Sequence, residues 1–138
     1  MTFADASLPL QKAIVAALKA DPAVAAIVAA RVYDVPPAAP VKPYISLGPF
    51  DVLTEVASNY EGSDTSIQID GWSAGQGSVE VKQLARAIRE ALHEKEFTLD
   101  EDQRLVALTI DQTRYLRELD GITQHAAVTA RARTEPAI

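Results

Sequence analysis

The segment Gly75-Gln76-Gly77-Ser78 has the residue types of a phosphate-binding turn. Glycines let backbone amides approach an anion, and the N-terminus of a following helix attracts negative charge. The third glycine of a dinucleotide-binding motif would be residue 80, which is Glu80, and no Lys-Ser or Lys-Thr pair completes a nucleotide-binding loop. A carboxylate there disfavours phosphate, so we interpret the segment as a plain strand-to-helix turn. A small nucleotide-binding enzyme is the least favoured alternative.

Nucleophilic and metal chemistry have little support in the sequence. His93 and His125 are the only two histidines, and neither has a second histidine at metal-ligand spacing. We expect both to be surface side chains. The chain has no cysteine, which excludes a cysteine nucleophile and thiolate metal ligands. These patterns predict no catalytic residue, no metal and no cofactor, and therefore a protein that is not an enzyme.

Two charged clusters remain open to interpretation. The turn Asp100-Glu101-Asp102 lacks the glycine and the distal glutamate of a calcium loop, so we expect a solvated acidic turn. Four arginines lie on two strands predicted to form a hairpin: Arg114, Arg117, Arg131 and Arg133. They form either a local basic ribbon or cross-strand ion pairs with Glu118 and Asp120.

Composition and charge limit the possible functions further. The 138 residues predict a single domain over 1–138, with 134–138 as a flexible tail. A net charge of −6 disfavours binding to nucleic acid or anionic lipid. The longest apolar run, Ala23 to Ala30, is far shorter than the roughly 20 residues that span a membrane, and no basic signal-peptide segment opens the chain. We expect a soluble protein that is not exported.

Hydrophobic periodicity predicts three helices. Apolar residues at helical spacing run from Ser7, a predicted N-cap, to Ala20, and Asp21-Pro22 starts a second helix that ends before Val32. Ser78 is the predicted N-cap of the third helix, one side of which is apolar. That apolar side consists of Val81, Leu84, Ala85, Ile88, Ala91 and Leu92.

Alternating patterns predict the strands, which are Tyr44–Leu47, Asp51–Ser58, Thr65–Trp72, Phe97–Leu99, Arg104–Leu116 and Thr123–Arg133. Val106, Leu108 and Ile110 are predicted to share one face, and Asp120-Gly121 is predicted to form a two-residue hairpin turn. Hairpins rather than crossovers predict an α+β fold. In it, a largely antiparallel β-sheet carries the N-terminal helices and one amphipathic helix packed on one face.

Shape, rather than chemistry, suggests a function. Sheet edges and a protruding loop from Val52 to Thr65 would offer assembly surfaces. The assembly-interface candidates are Phe50, Leu53, Val56, Tyr60, Arg114 and Arg117. This pattern favours a structural or interaction protein over an enzyme.

The order of several short motifs resembles the tail-completion, or tail-terminator, family of long-tailed bacteriophages, prophages and gene transfer agents. The motifs that carry the resemblance are Leu10 to Asp21, Arg31-Val32-Tyr33-Asp34, Pro43 to Gly48, Ala87 to His93 and Leu116 to His125. Each motif alone is weak, and the specificity comes from their order and spacing. Phe50 to Ser66 departs from the family pattern.

The resemblance implies a subunit of a hexameric ring that terminates the tail tube and joins it to the capsid neck, without catalysis. Its partners would be further copies of the chain, the tail tube protein and a head-completion or neck protein. The protein would assemble in the cytoplasm and then reside in the virion tail at the head-tail joint. DNA would pass through the ring without specific binding. The alternative is a head-completion or neck adaptor, which would be of similar size.

Overall fold

The computed structural model describes residues 5–57, 60–75 and 77–137. Their elements are α1 Ser7–Ala20, α2 Pro22–Val28, β1 Val32–Tyr33, β2 Tyr44–Ala57, β3 Tyr60–Ala74, α3 Val79–Leu92, β4 Gln103–Arg117 and β5 Thr123–Pro136. The strands form one sheet in the order β1-β2-β3-β5-β4. Every neighbouring pair is antiparallel except β1 with β2. The predicted α+β fold with a largely antiparallel sheet is confirmed.

The N-terminal helices have the predicted bounds, but their caps differ. Ala6 holds the N-cap position of α1, and Ser7 lies inside the first turn, where its amide donates to Asp5 at 2.7 Å. The predicted capping role of Ser7 is therefore wrong. The Asp21 carboxylate does cap α2, because it accepts from the amides of residues 23 and 24 at 2.9 and 3.0 Å.

Strands β2 and β3 pair antiparallel as far as Ala57 and Tyr60, so the described residues of the predicted loop over 52–65 are strand. The two strands predicted over 44–58 are a single strand with a register shift between Leu47 and Phe50. The part of the predicted loop from Tyr60 onward belongs to β3. Pairing across the sheet stabilises strand geometry where the local composition favours a loop. Residues 58 and 59 lie outside the described residues.

Strand β4 contains two register shifts, one between Leu105 and Ala107 and one between Ile110 and Gln112. An extra residue in one strand reverses the alternation of the faces. Val106 is consequently 45% exposed, whereas Leu108 is buried. The prediction that these two residues share a face is wrong.

The ends of β5 also differ from the prediction. Five residues, 118–122, separate β4 from β5, and of Asp120 and Gly121 only the glycine has a positive φ, so the predicted two-residue type I′ turn is wrong. Thr134 is buried in β5, which continues to Pro136, so 134–136 are strand rather than a flexible tail. The predicted strand 97–99 is reduced to a bridge between Thr98 and Arg104.

The core lies between the helices and one face of the sheet. The predicted apolar side of α3 is buried, and so are Leu10, Ile14 and Leu18 of α1. The alanines at 126, 130 and 132 of β5 are fully buried and let the helices approach the sheet closely. The opposite face of the sheet, here called the open face, carries the side chains that alternate with these core residues along the strands, such as Trp72, His125 and Arg131.

Candidate assembly surfaces

An aromatic cluster occupies one end of the open face. Trp72 of β3 pairs in register with His125 of β5 and with Tyr44 of β2. The rings of Trp72 and Tyr44 are stacked with centroids 6.1 Å apart, and the Trp72 indole N–H donates to the Ser46 hydroxyl at 2.9 Å. Tyr33 of β1 extends the cluster at 6.1 Å from Tyr44. The cluster therefore joins four strands of the sheet.

His125 lies within this cluster and is not the surface side chain that we expected. Its side chain is 13% exposed, and Nε2 lies 2.6 Å from Oδ1 of Asp70. Its Nδ1 lies 3.4 Å from a carboxylate oxygen of Glu118. Since both ring nitrogens face carboxylates, the imidazole is engaged in structural contacts. The charge of Asp70 also acts on Tyr44, whose pKa is raised first by burial and then by this carboxylate.

The sequence alone did not reveal this cluster. Strand alternation puts Asp70 on one face of its strand, but only the pairing of β3 with β5 brings His125 next to it. The second histidine, His93, follows α3 and is half-buried; its Nδ1 accepts from the amide of Ile110 at 2.9 Å. Both histidines therefore hold elements of the fold together.

The four arginines divide into two pairs, and the predicted partners are wrong. On the open face, Arg131 lies 3.4 Å from Asp64, and Arg133 lies 2.5 Å from Glu55. Glu118 instead faces His125, and the Asp120 carboxylate accepts from the amide and hydroxyl of Thr123. The partners of Arg131 and Arg133 come from β3 and β2 because β5 lies between β3 and β4 in the sheet.

The other two arginines stay available for contacts. Arg114 and Arg117 are exposed on β4, which is an edge strand. Within the described parts of the chain, no carboxylate lies within ion-pair distance of either residue. They remain candidates for an assembly interface.

The predicted apolar interface residues have different environments. Leu53 is 66% exposed on the open face of β2. Phe50 is half-buried and packs against the core. The backbones of Val56 and Tyr60 belong to the β2–β3 hairpin, and their side chains lie outside what the structure describes. Of these four side chains, only that of Leu53 is seen to be available to a partner.

A second exposed apolar region, absent from the predictions, surrounds the loop between β4 and β5. Leu119 is fully exposed, and Ile122 and Leu116 are exposed as well. The sequence signal was the pattern Leu-Arg-Glu-Leu-Asp-Gly-Ile, in which apolar residues flank a turn. Exposed apolar side chains close together are typical of assembly surfaces.

The described residues offer no evident site for a metal ion, and their helices do not cross a membrane. Across 5–57, 60–75 and 77–137, no group of three or more His, Cys, Asp or Glu residues is arranged to hold a metal. No helix within those ranges is long and apolar enough to span a bilayer. At the strand-to-helix turn, Glu80 accepts a hydrogen bond from the Ser73 hydroxyl at 2.9 Å. This contact places a carboxylate beside the turn.

Comparisons with known proteins agree with one another. The family model described as "Tail completion protein gp17" matches residues 12–135. A chain of the solved structure "Virion of native gene transfer agent (GTA) particle" is 30% identical, with a TM-score of 0.88, over 97% of this chain and 99% of that chain. No curated protein sequence matches. Because the family model covers nearly the whole domain, the chain belongs to the tail completion protein family.

Proposed function

We propose that this protein is a structural component of a phage-like tail, which forms a hexameric ring at the end of the tail tube and joins the tube to the capsid neck. The observation that carries the proposal is the full-length likeness to a chain of a gene transfer agent virion, together with membership of the tail completion family. The role needs no catalysis. It places the protein in the virion tail after assembly in the cytoplasm.

Features of the sheet support self-assembly into a ring. Strand β4 is one edge of the sheet, and the two-residue β1 on the other side pairs only with Ile45 and Ser46 of β2. The two edges of the sheet therefore differ, and contact between unlike surfaces of neighbouring subunits forms a ring when the rotation between them closes. Leu53 near one edge and Arg114 and Arg117 on the other are our candidates for contacts between subunits.

Charge supports the passage of DNA without specific binding. Six subunits at −6 each would give the ring a total charge of −36, which repels phosphates. Arg131 and Arg133, the open-face arginines on β5, both lie beside carboxylates. An arginine already paired in this way attracts a phosphate less than a free one. A lumen lined by unpaired arginines in an assembled ring would contradict this part of the proposal.

Deletion of the gene, followed by electron microscopy of the particles, tests the function. A terminator predicts over-long tails without heads, beside filled heads without tails. A neck adaptor instead predicts tails of normal length that remain unattached. Complementation with the wild-type gene is the control, and Leu53→Asp tests whether the β2 surface is needed. Normal particles from the deletion strain would overturn the proposal.

A further inference from the structure

A basic groove runs between α3 and the edge strand β4, on the side of the sheet that carries the helices. Its volume is about 450 Å³, and its lining consists of Lys82, Ala85, Arg86, Arg89, Glu90, Thr113 and Tyr115. Lys82, Arg86 and Arg89 follow one another at helical spacings of four and three, so they share one side of α3. The groove concentrates positive charge on a protein whose net charge is −6.

The cations of the groove have no acidic partner within the described part of the chain. Among residues 5–57, 60–75 and 77–137, no carboxylate is seen within ion-pair distance of Lys82, Arg86 or Arg89. Four other cations do have such partners: Lys12 with Asp100, Arg104 with Glu135, Arg131 with Asp64 and Arg133 with Glu55. Lys82 instead lies 5.5 Å from the centre of the Tyr115 ring, which is 46% exposed. The groove therefore has unmatched charge and an accessible aromatic surface.

The wall of the groove formed by β4 is suited to a polypeptide. Both register shifts of β4 lie before Gln112, and from Gln112 to Arg117 the strand pairs regularly with β5. No described strand pairs with the other side of β4, so its outward backbone groups are open. An added strand would alternate its side chains, and those on the helix side would point toward Lys82, Arg86 and Arg89.

We propose that this groove binds an extended acidic segment of a partner protein, which adds to β4 as a further strand with alternate carboxylates facing the cations of α3. A nucleic acid would find the same cations, but it could not pair with the open backbone edge, and the net charge repels it. The inference rests on the proposed function only in placing the partner among tail or neck proteins.

A binding experiment with defined peptides tests the groove without requiring a ring. The probe is a fluorescent octapeptide of alternating glutamate and threonine, titrated with the full-length protein at low salt. We expect saturable binding that weakens as salt rises. Arg86→Glu/Arg89→Glu should weaken it about tenfold or more. The matched control, Lys19→Glu/Lys95→Glu, changes the net charge equally and should bind like the wild type.

Two further probes separate strand addition from simple charge attraction. The same peptide with N-methylated backbone amides keeps its carboxylates but cannot complete a strand ladder, so it should bind much more weakly. Hydrogen exchange should slow at outward amides within 112–117 when the unmodified peptide is bound. Equal binding of the methylated peptide, tighter binding of a short oligothymidine, or no binding would each overturn the inference. None of these outcomes depends on whether the protein forms a tail ring.

Discussion

The imidazole of His125 lies parallel to the indole of Trp72, with ring centroids 3.9 Å apart and an interplanar angle of 8°. The stack joins two neighbouring strands, β3 and β5. It also holds Nε2 at 2.6 Å from the Asp70 carboxylate, which accepts a second hydrogen bond from the Gln68 amide at 2.9 Å. The open face of the sheet is therefore fixed by a specific set of contacts at this end.

Removing His125 should destabilise the protein substantially. His125→Ala removes the stack and leaves the nearly buried Asp70 without one hydrogen-bond partner, so we expect a loss of about 2–4 kcal/mol in the free energy of unfolding. Urea denaturation measures this change. His125→Phe retains a ring against Trp72 and should lose less. A loss below about 0.5 kcal/mol for His125→Ala would show that the contacts of the cluster contribute little.

The loop between β4 and β5 should give the protein part of its acid sensitivity. The Thr123 hydroxyl donates to Asp120 at 2.6 Å, and the amides of Thr123 and Ile122 donate at 2.8 and 2.9 Å. These bonds lower the pKa of Asp120 to about 2. The Asp120 carboxylate is therefore harder to protonate in the folded state than in the unfolded state. Its contribution to the stability of the fold is present above about pH 4 and is lost as the pH falls towards 2.

Asp120→Asn should therefore reduce the fall in stability between about pH 5 and about pH 2.5. Urea denaturation of both proteins at the two pH values measures the difference. Thr123→Val removes the first of the hydrogen-bond donors and should change the pH dependence in the same direction. If wild type and Asp120→Asn lose the same stability over this range, the loop does not contribute to acid sensitivity.

Two helix starts that look alike in the sequence should respond differently to mutation. Asp21 accepts two amide hydrogen bonds at the start of α2, so Asp21→Ala should cost about 1 kcal/mol. Ser78 holds the same position before α3, but its side chain makes no capping hydrogen bond, so Ser78→Ala should cost less than about 0.5 kcal/mol. Thermal unfolding compares the two variants. Equal losses would contradict the observed caps.

Local patterns predicted the helices well because their determinants lie close together in the chain. The apolar residues predicted to form one side of α3, such as Leu84 and Ile88, repeat at intervals that only a helix brings together, and all six are buried. Pro22 after Asp21 similarly located the start of α2. These features depend on neighbours within one or two turns.

Strand partners and bulges could not be predicted in the same way. The sheet places β5 between β3 and β4, and no local pattern specifies that order. This strand order produces the ion pairs of Arg131 and Arg133 and the contact of His125 with Asp70. A one-residue bulge was enough to expose Val106. The aromatic cluster of the open face therefore became visible only with the register known, whereas Leu53, Arg114 and Arg117 were candidates from the sequence.

The packing of α3 on β3 leaves little space for a side chain at Gly71. A Cβ built there lies 3.0 Å from Cδ2 of Leu84, which is itself fully buried. Gly71→Ala should therefore destabilise the fold by about 1–3 kcal/mol, and Leu84→Ala by about 2–5 kcal/mol. Gly77→Ala, where a Cβ meets nothing within 4 Å, is the control for adding a methyl group.

The double variant decides whether these two positions share one space. In Gly71→Ala/Leu84→Ala the new methyl group enters the volume that the leucine vacates, so the combined loss should be smaller than the sum of the single losses by about 1 kcal/mol or more. Urea denaturation of the four proteins gives this coupling energy. If the loss of the double variant equals the sum of the two single losses, the strain caused by Gly71→Ala does not come from Leu84. The close contact of α3 with β3 would then not constrain this glycine.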